Sequence, residues 1–190
     1  MSARREHGAV LLVALCVMLI LLMLGVSAAR TALNAEKSAR AERDRQIALH
    51  AAEAALDDAE RDIDSANDVQ RASLFARGSG AGFVDGCGSG AANLGLCLRS
   101  VPPAWQRIAL DGVARTVEYG RFTGAMLPVG HGTLPARLPR YVIELMPYAR
   151  AGADASARIG NFYRITAIGF GASDTSRVVL QSYYLKAVAQ

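Results

Sequence analysis

The chain has 190 residues, a formal net charge of +4, 52% apolar residues and 20% charged residues. That length holds one membrane segment and one modest folded domain, and the apolar share is inflated by a single run and many alanines, so it does not imply a large core. The basic residues are scattered without the stripe that a nucleic-acid face requires, which excludes nucleic acid as a partner.

The chain opens on a short polar leader, MSARREHG, residues 1–8. Residues 9–30, AVLLVALCVMLILLMLGVSAAR, then carry no charge before Arg30. About 20 apolar residues cross a bilayer core as a helix, and in lipid a helix satisfies its own backbone amides. Arg4 and Arg5 precede the run, so the positive-inside rule keeps the leader cytoplasmic and exports the C-terminal bulk. A secretory signal cut after Val26-Ser27-Ala28 is a rival reading. Residues 9–24 are long for such an h-region, typically about 7–15 residues. A twin-arginine signal fits less well, because Glu6-His7-Gly8 follows the arginines.

Residues 31–76 continue as a helix that is amphipathic instead of apolar. Alanine, leucine, glutamate and arginine dominate there, without proline and without glycine between Gly25 and Gly78, and all four are strong helix formers. Leu49, Leu56 and Ile63 recur at heptad spacing beside Ala48, Ala52, Ala55 and Ala59. That pattern makes one narrow apolar stripe on an otherwise charged helix. Glu36 with Arg40, and Asp57 with Arg61, stand in the favourable order for pairs one turn apart. A helix running from Ala9 to about Ile63 would be roughly 80 Å long, with its first half in lipid and its second half carrying a stripe for a partner domain.

Residues 77–190 read as an exported globular domain. Residues 78–95, GSGAGFVDGCGSGAANLG, cannot remain helical at that glycine density. The glycine patterns there neither follow a strand nor open a helix, so they are not a nucleotide-binding loop. Cys87 lies in this loop and Cys97 closes it. In an exported domain the simplest reading is a disulfide, with Cys16 left in the apolar run. Zinc is the rival, but no histidine or further cysteine stands near enough to complete four ligands.

Beyond Pro102-Pro103 and Trp105 the period changes from helical to alternating. Residues 113–122, 141–146, 162–170 and 177–185 are rich in β-branched and aromatic side chains, and turns at 124–139, 147–160 and 169–176 separate them. Short connections between neighbouring strands predict an antiparallel four-stranded sheet, one face of which needs a cover. The fold class expected is α+β: a long N-terminal helix whose amphipathic half packs on that sheet. His7, His50 and His131 have no nucleophile or carboxylate at an informative spacing. Asp111, Glu118, Glu144, Asp154 and Asp174 form no calcium loop. No catalytic, cofactor-binding or metal-binding residue is expected.

Residues 4–60 resemble the N-terminus of the PilX-like minor pilins of type IV pili. The shared marks are a basic leader ending in Gly8, the apolar run beginning at Ala9, Gly25, and the stretch RDRQIALHAAEAALDDAE at 43–60. FYRITAIGFG and RVVLQSYY near the C-terminus resemble the closing strands of that group, while residues 78–140 carry no such recognisable mark. The resemblance implies cleavage by a prepilin peptidase between Gly8 and Ala9 and methylation of the new amine. It implies assembly from the inner membrane with other minor pilins and the major pilin into a complex that primes the pilus and sits at its tip, with a large tip adhesin as a further candidate partner. Before assembly the globular domain would be periplasmic, and the expected roles are twitching motility and adhesion.

One position departs from the pilin pattern. Most pilins carry glutamate five residues into the mature chain, where this sequence has Val13. That glutamate can neutralise the N-terminal ammonium of the subunit ahead, and burying either charge alone is costly. A subunit with valine there suits one that enters first; the plainer reading is that valine simply suits a membrane helix. Tip-type minor pseudopilins of type II secretion share the departure, so that system is one alternative. The other is a bitopic inner-membrane anchor with a periplasmic binding domain.

Overall fold

A computed structural model describes residues 7–76, 79–147 and 161–186. Residues 1–6 of the expected leader, nearly all of the expected turn at 147–160, and residues 187–190 lie outside the described residues. The chain forms two compact units, Met1–Arg43 and Asp44–Gln190.

The first unit is helix. Helix α1 runs His7–Ser65, 59 residues, so it begins in the first unit and its last turns belong to the second. In the first unit the helix is exposed on all sides, Val10, Leu21 and Val26 among many others. An 18-residue window there reaches a mean hydropathy of 3.2, and by length and composition the helix can cross a membrane.

The second unit stacks the last turns of α1, a sheet, and an irregular outer layer. After α1 come α2 (Val69–Leu74), β1 (Leu96–Leu98), α3 (Ala104–Arg107), β2 (Val117–Glu118), β3 (Arg140–Met146), β4 (Phe162–Phe170) and β5 (Arg177–Leu185). The sheet order is β1-β3-β4-β5, with β2 also pairing on β3. Strands β3, β4 and β5 are antiparallel, and β1 runs parallel to β3. The expected helix-on-sheet α+β fold is therefore present. The sheet has one strand more than expected, the short β1.

Period-two alternation sorts the strand residues between the layers. Tyr141, Ile143, Tyr163, Ile165 and Ala167 face α1 and share a core with Ala55, Ala59, Ile63, Phe75 and Phe83. The opposite face, with Val142, Ile168 and Phe170, packs on Cys87, Cys97, Ala104 and Leu110. Of the expected leucine stripe, Ile63 is buried while Leu49 and Leu56 are half-buried. The alanines carry the close contact instead: Ala48, Ala52, Ala55 and Ala59 are fully buried. The far end of the sheet ties back to α1 as well. Tyr184 donates its hydroxyl to Asp64, and Lys186 Nζ donates to the Ile63 carbonyl at 2.6 Å.

Two expected elements are shorter in the structure, for local reasons. Helix α1 stops at Ser65 although no glycine or proline stands there. Asp68 caps α2 by accepting the Arg71 N–H at 3.0 Å, and an N-cap carboxylate favours starting a new helix over continuing the old one. The strand expected at 113–122 survives only as Val117–Glu118. Thr116 donates its hydroxyl back to the Gly112 carbonyl, and Gly120 at φ 77° turns the chain immediately afterwards.

Candidate functional site

The first unit presents an exposed apolar surface. Residues four apart on a helix lie one above the other, so Ala9, Val13, Cys16 and Ile20 share one side of α1. The backbone is helical through His7 and Gly8, so the proposed cleavage position lies in the first helical turn. Val13 is 59% exposed and Cys16 is an exposed free thiol. From Ala9 to Ala29 the helix carries no charged side chain, and its exposed surface is apolar except for the Ser27 hydroxyl and the Cys16 thiol.

In the second unit Cys87 and Cys97 are joined by a disulfide, S–S 2.02 Å, ten residues apart in sequence. The bond closes the glycine loop against β1, whose residues also bridge to Val84 and Gly88. Cys87 itself adopts φ 69°.

Behind this loop lies a buried ionic cluster. Arg71 is fully buried and grips Asp62 with Nε at 3.0 Å and Nη2 at 2.6 Å. Its remaining nitrogen donates to the carbonyls of Ala92 and Leu94, each at 2.9 Å. The guanidinium also lies over the rings of Phe122 at 4.1 Å and Phe75 at 5.1 Å. One side chain thereby joins α1, α2, the glycine loop and the segment around Phe122. The Tyr141 hydroxyl completes the site, donating to Asp62 at 3.0 Å.

The electrostatics follow from burial. Removal from water pushes the Asp62 carboxyl above its ordinary value, against the opposing pull of Arg71 and Tyr141. The Tyr141 phenol is raised well above 10, first by burial and then by the carboxylates of Asp62 and Asp58. One turn away, Asp58 is also buried and accepts from the Gly120 N–H at 2.7 Å and from the Thr123 hydroxyl. On the other face of the sheet the buried Glu144 accepts from Arg164 Nε and Nη2, both at 2.8 Å, and from the Ala104 N–H at 3.0 Å. These clusters hold loops to the helix and the sheet. A signal for them was present. Asp58 and Asp62 are four apart and fall on the same side of α1 as the alanines, where a solvated carboxylate does not belong.

Among the sites expected from the sequence, the structure brings Cys87 and Cys97 together. It places Ala9 and Val13 on one face of α1, in a different unit from the disulfide.

Comparison with known families fits this architecture. A family model described as the C-terminal region of the type IV pilus assembly protein PilX matches residues 62–186. A second, described as PilX N-terminal, matches residues 7–57. No curated protein and no solved structure matches the chain. The C-terminal match alone spans well over half of the sequence and takes in Arg71, the disulfide and the whole sheet, and the N-terminal match takes in the apolar helix: the chain belongs to the PilX family of type IV pilus assembly proteins.

Proposed function

We propose that this chain is a minor pilin that takes part in initiating type IV pilus assembly and occupies the tip complex, in support of twitching motility and adhesion. The observation that carries the reading is the exposed, uncharged run of α1 that begins directly after Gly8 and has Val13 where a glutamate would be needed to neutralise a subunit ahead. A prepilin peptidase would cut between Gly8 and Ala9, and the released helix would leave the inner membrane to pack among its neighbours. The globular unit would stay periplasmic until then and would make the contacts with other minor pilins, the major pilin and any adhesin.

The mature N-terminus tests this. Sequencing of the chain purified from cells should begin at Ala9 with a methylated amine. A start at Met1 would instead favour a bitopic anchor, and a start near Ala29 a secreted protein; either would overturn the proposal. Tip pseudopilins of type II secretion share the departure from glutamate, so loss of surface localisation on deleting the type IV pilus assembly ATPase, but not its type II counterpart, separates the two machineries.

A further inference from the structure

A polar cleft of about 450 Å³ opens between the start of α2, the glycine loop and the turn at residues 121–124. Asn67, Asp68, Ala91, Arg121, Phe122 and Gly124 line it, and all of them belong to the second unit. Its walls are bonded to one another. The Asn67 N–H donates to the Phe122 carbonyl at 2.8 Å, and its side-chain Nδ2 donates to the Thr123 carbonyl at 2.7 Å. Behind these walls the Gly120 N–H is held by Asp58, and the carbonyls of Ala92 and Leu94 are held by Arg71. The cleft is therefore preformed, and a ligand that enters it has no loop to order first.

Opposite charges line this cleft without meeting. Most described arginines of the second unit grip a carboxylate, as Arg107 grips Asp85 and Arg177 grips Asp111. Arg121 grips none. Its side chain makes no hydrogen bond or ion pair with any described residue, and its guanidinium stands 6.0 Å from the centre of the Phe122 ring. Asp68 accepts the Arg71 N–H with Oδ1 and leaves Oδ2 without a partner among the described residues. Because Asn67 Nδ2 donates to a carbonyl, the orientation of that amide is fixed, and its Oδ1 is likewise unengaged. Both charged side chains are exposed, and a direct pair would gain a charge-assisted hydrogen bond. The fold holds them too far apart to make one.

We propose that this cleft binds a small zwitterion, whose anionic oxygens meet Arg121 and whose primary ammonium meets Asp68 Oδ2 and Asn67 Oδ1. A guanidinium presents a planar fork of donors that matches the oxygens of a carboxylate or phosphate. An ammonium has three donors and no acceptor, so a carboxylate oxygen beside an amide oxygen suits it. A ligand carrying one charge alone would leave the opposite wall unmatched. Ala91, Phe122 and Gly124 supply the apolar part of the lining. Two sources carry this chemistry: a free α-amino acid, and the phosphoethanolamine headgroup of a lipid. The cleft does not depend on the pilus reading and stands or falls separately from it.

The test is a ligand-observed NMR titration of the full chain in a non-ionic detergent at low salt, where contacts between exposed charges are least screened. L-alanine and O-phosphoethanolamine stand for the two sources. At least one should bind, and the tighter of the two identifies the source. Analogues with a single charge should bind roughly tenfold more weakly or worse. These are N-acetyl-L-alanine and L-alaninamide for the first, inorganic phosphate and ethanolamine for the second. Arg121→Gln should lower the zwitterion to the affinity of its ammonium-only analogue and leave that analogue's own affinity unchanged. Asp68→Asn keeps a side-chain cap on α2 and should lower the zwitterion to the affinity of its anion-only analogue. Ala91→Leu fills the cleft with both charges in place and should weaken every probe. An unchanged unfolding midpoint and a retained Cys87–Cys97 bond check the fold of each variant. Binding of neither zwitterion, single-charge analogues as tight as the zwitterion, or a zwitterion affinity untouched by all three variants would each overturn the proposal.

Discussion

Gly169 of β4 lies directly against the α1 backbone at Ala48: a Cβ on Gly169 would come within 2.1 Å of the Ala48 carbonyl oxygen and 2.4 Å of the Ala52 nitrogen. The contact is backbone on backbone, so no side-chain rotation can relieve it. The alanines of α1 and this glycine are two halves of one device that lets a helix rest on a sheet at minimal distance.

Gly169→Ala should accordingly destabilise the globular unit by at least the usual cost of overpacking, about 1–3 kcal/mol. Gly80→Ala, where the nearest atom to the new Cβ is a leucine methyl at 3.7 Å, is the matched control. Denaturant unfolding of the detergent-solubilised chain compares the two. An unchanged midpoint for Gly169→Ala would mean that α1 does not sit on β4 as described.

The long helix, strands β3 to β5 and the Cys87–Cys97 pairing were legible in the sequence because each rests on a repeated or paired signal. The helix shows as a proline-free run of helix formers, the strands as period-two alternation, and the pairing as two cysteines around a flexible loop. Strand β1 was not legible. Leu96-Cys97-Leu98 is too short to display a period, and its partner β3 lies more than forty residues away. The end of α1 at Ser65 was missed because composition alone favours continuation there. The signal lay in Asn67-Asp68, and its force depends on Arg71 being drawn inward to Asp62. That attraction is tertiary, so neither residue announces it alone.

Breaking the buried pair from one side should be costly. Asp62→Asn or Arg71→Met each leaves a group stranded away from water, at about 3–5 kcal/mol for a buried partner. The double variant Asp62→Asn/Arg71→Met should lose clearly less than the sum of the two singles. A double-mutant cycle on unfolding free energies checks this, and additivity of the singles would mean the two side chains do not interact.

Alkaline pH should loosen the fold in a defined window. Burial raises the Tyr163 phenol to about 12 from an ordinary 10. The stability tied to its neutral form is fully present below pH 10, where both folded and unfolded states are protonated. It is lost as the pH rises toward the folded value, at roughly 1.4 kcal/mol per pH unit. Tyrosinate absorbance should show a late fraction that titrates only near that value or on unfolding. Tyr163→Phe should flatten the loss of stability over this range.

The cysteines should divide into a pair and a single. Thiol labelling of denatured, unreduced protein should find one reactive cysteine, Cys16, with Cys87 and Cys97 protected by their bond. Reduction should cost about 2–4 kcal/mol, the scale expected for closing a short loop. Labelling of all three without reductant would rule the bond out in the exported protein.

Val13→Glu tests the order of assembly. An ionisable group in the apolar helix costs roughly 2–3 kcal/mol at the membrane centre and less toward the interface. In a leading subunit the new carboxylate would find no ammonium ahead to offset that cost. Normal leader cleavage with fewer surface fibres and weaker twitching is the expected outcome. Fibre number unchanged or raised, with the variant spread along the shaft, would remove the argument for a leading position.

The link from Lys186 to the Ile63 carbonyl, with Tyr184 on Asp64 beside it, sets a sequence of events in time. Helix α1 has no basic residue in its own last turn, and a cation there favours the helix terminus. That cation arrives from the far end of β5, more than a hundred residues later in the chain. In chain order the end of the helix that is made first therefore meets its cation only after the last strand has been made. A chain cut short before Tyr184 would leave Asp64 without its hydroxyl donor and the Ile63 carbonyl without its cation.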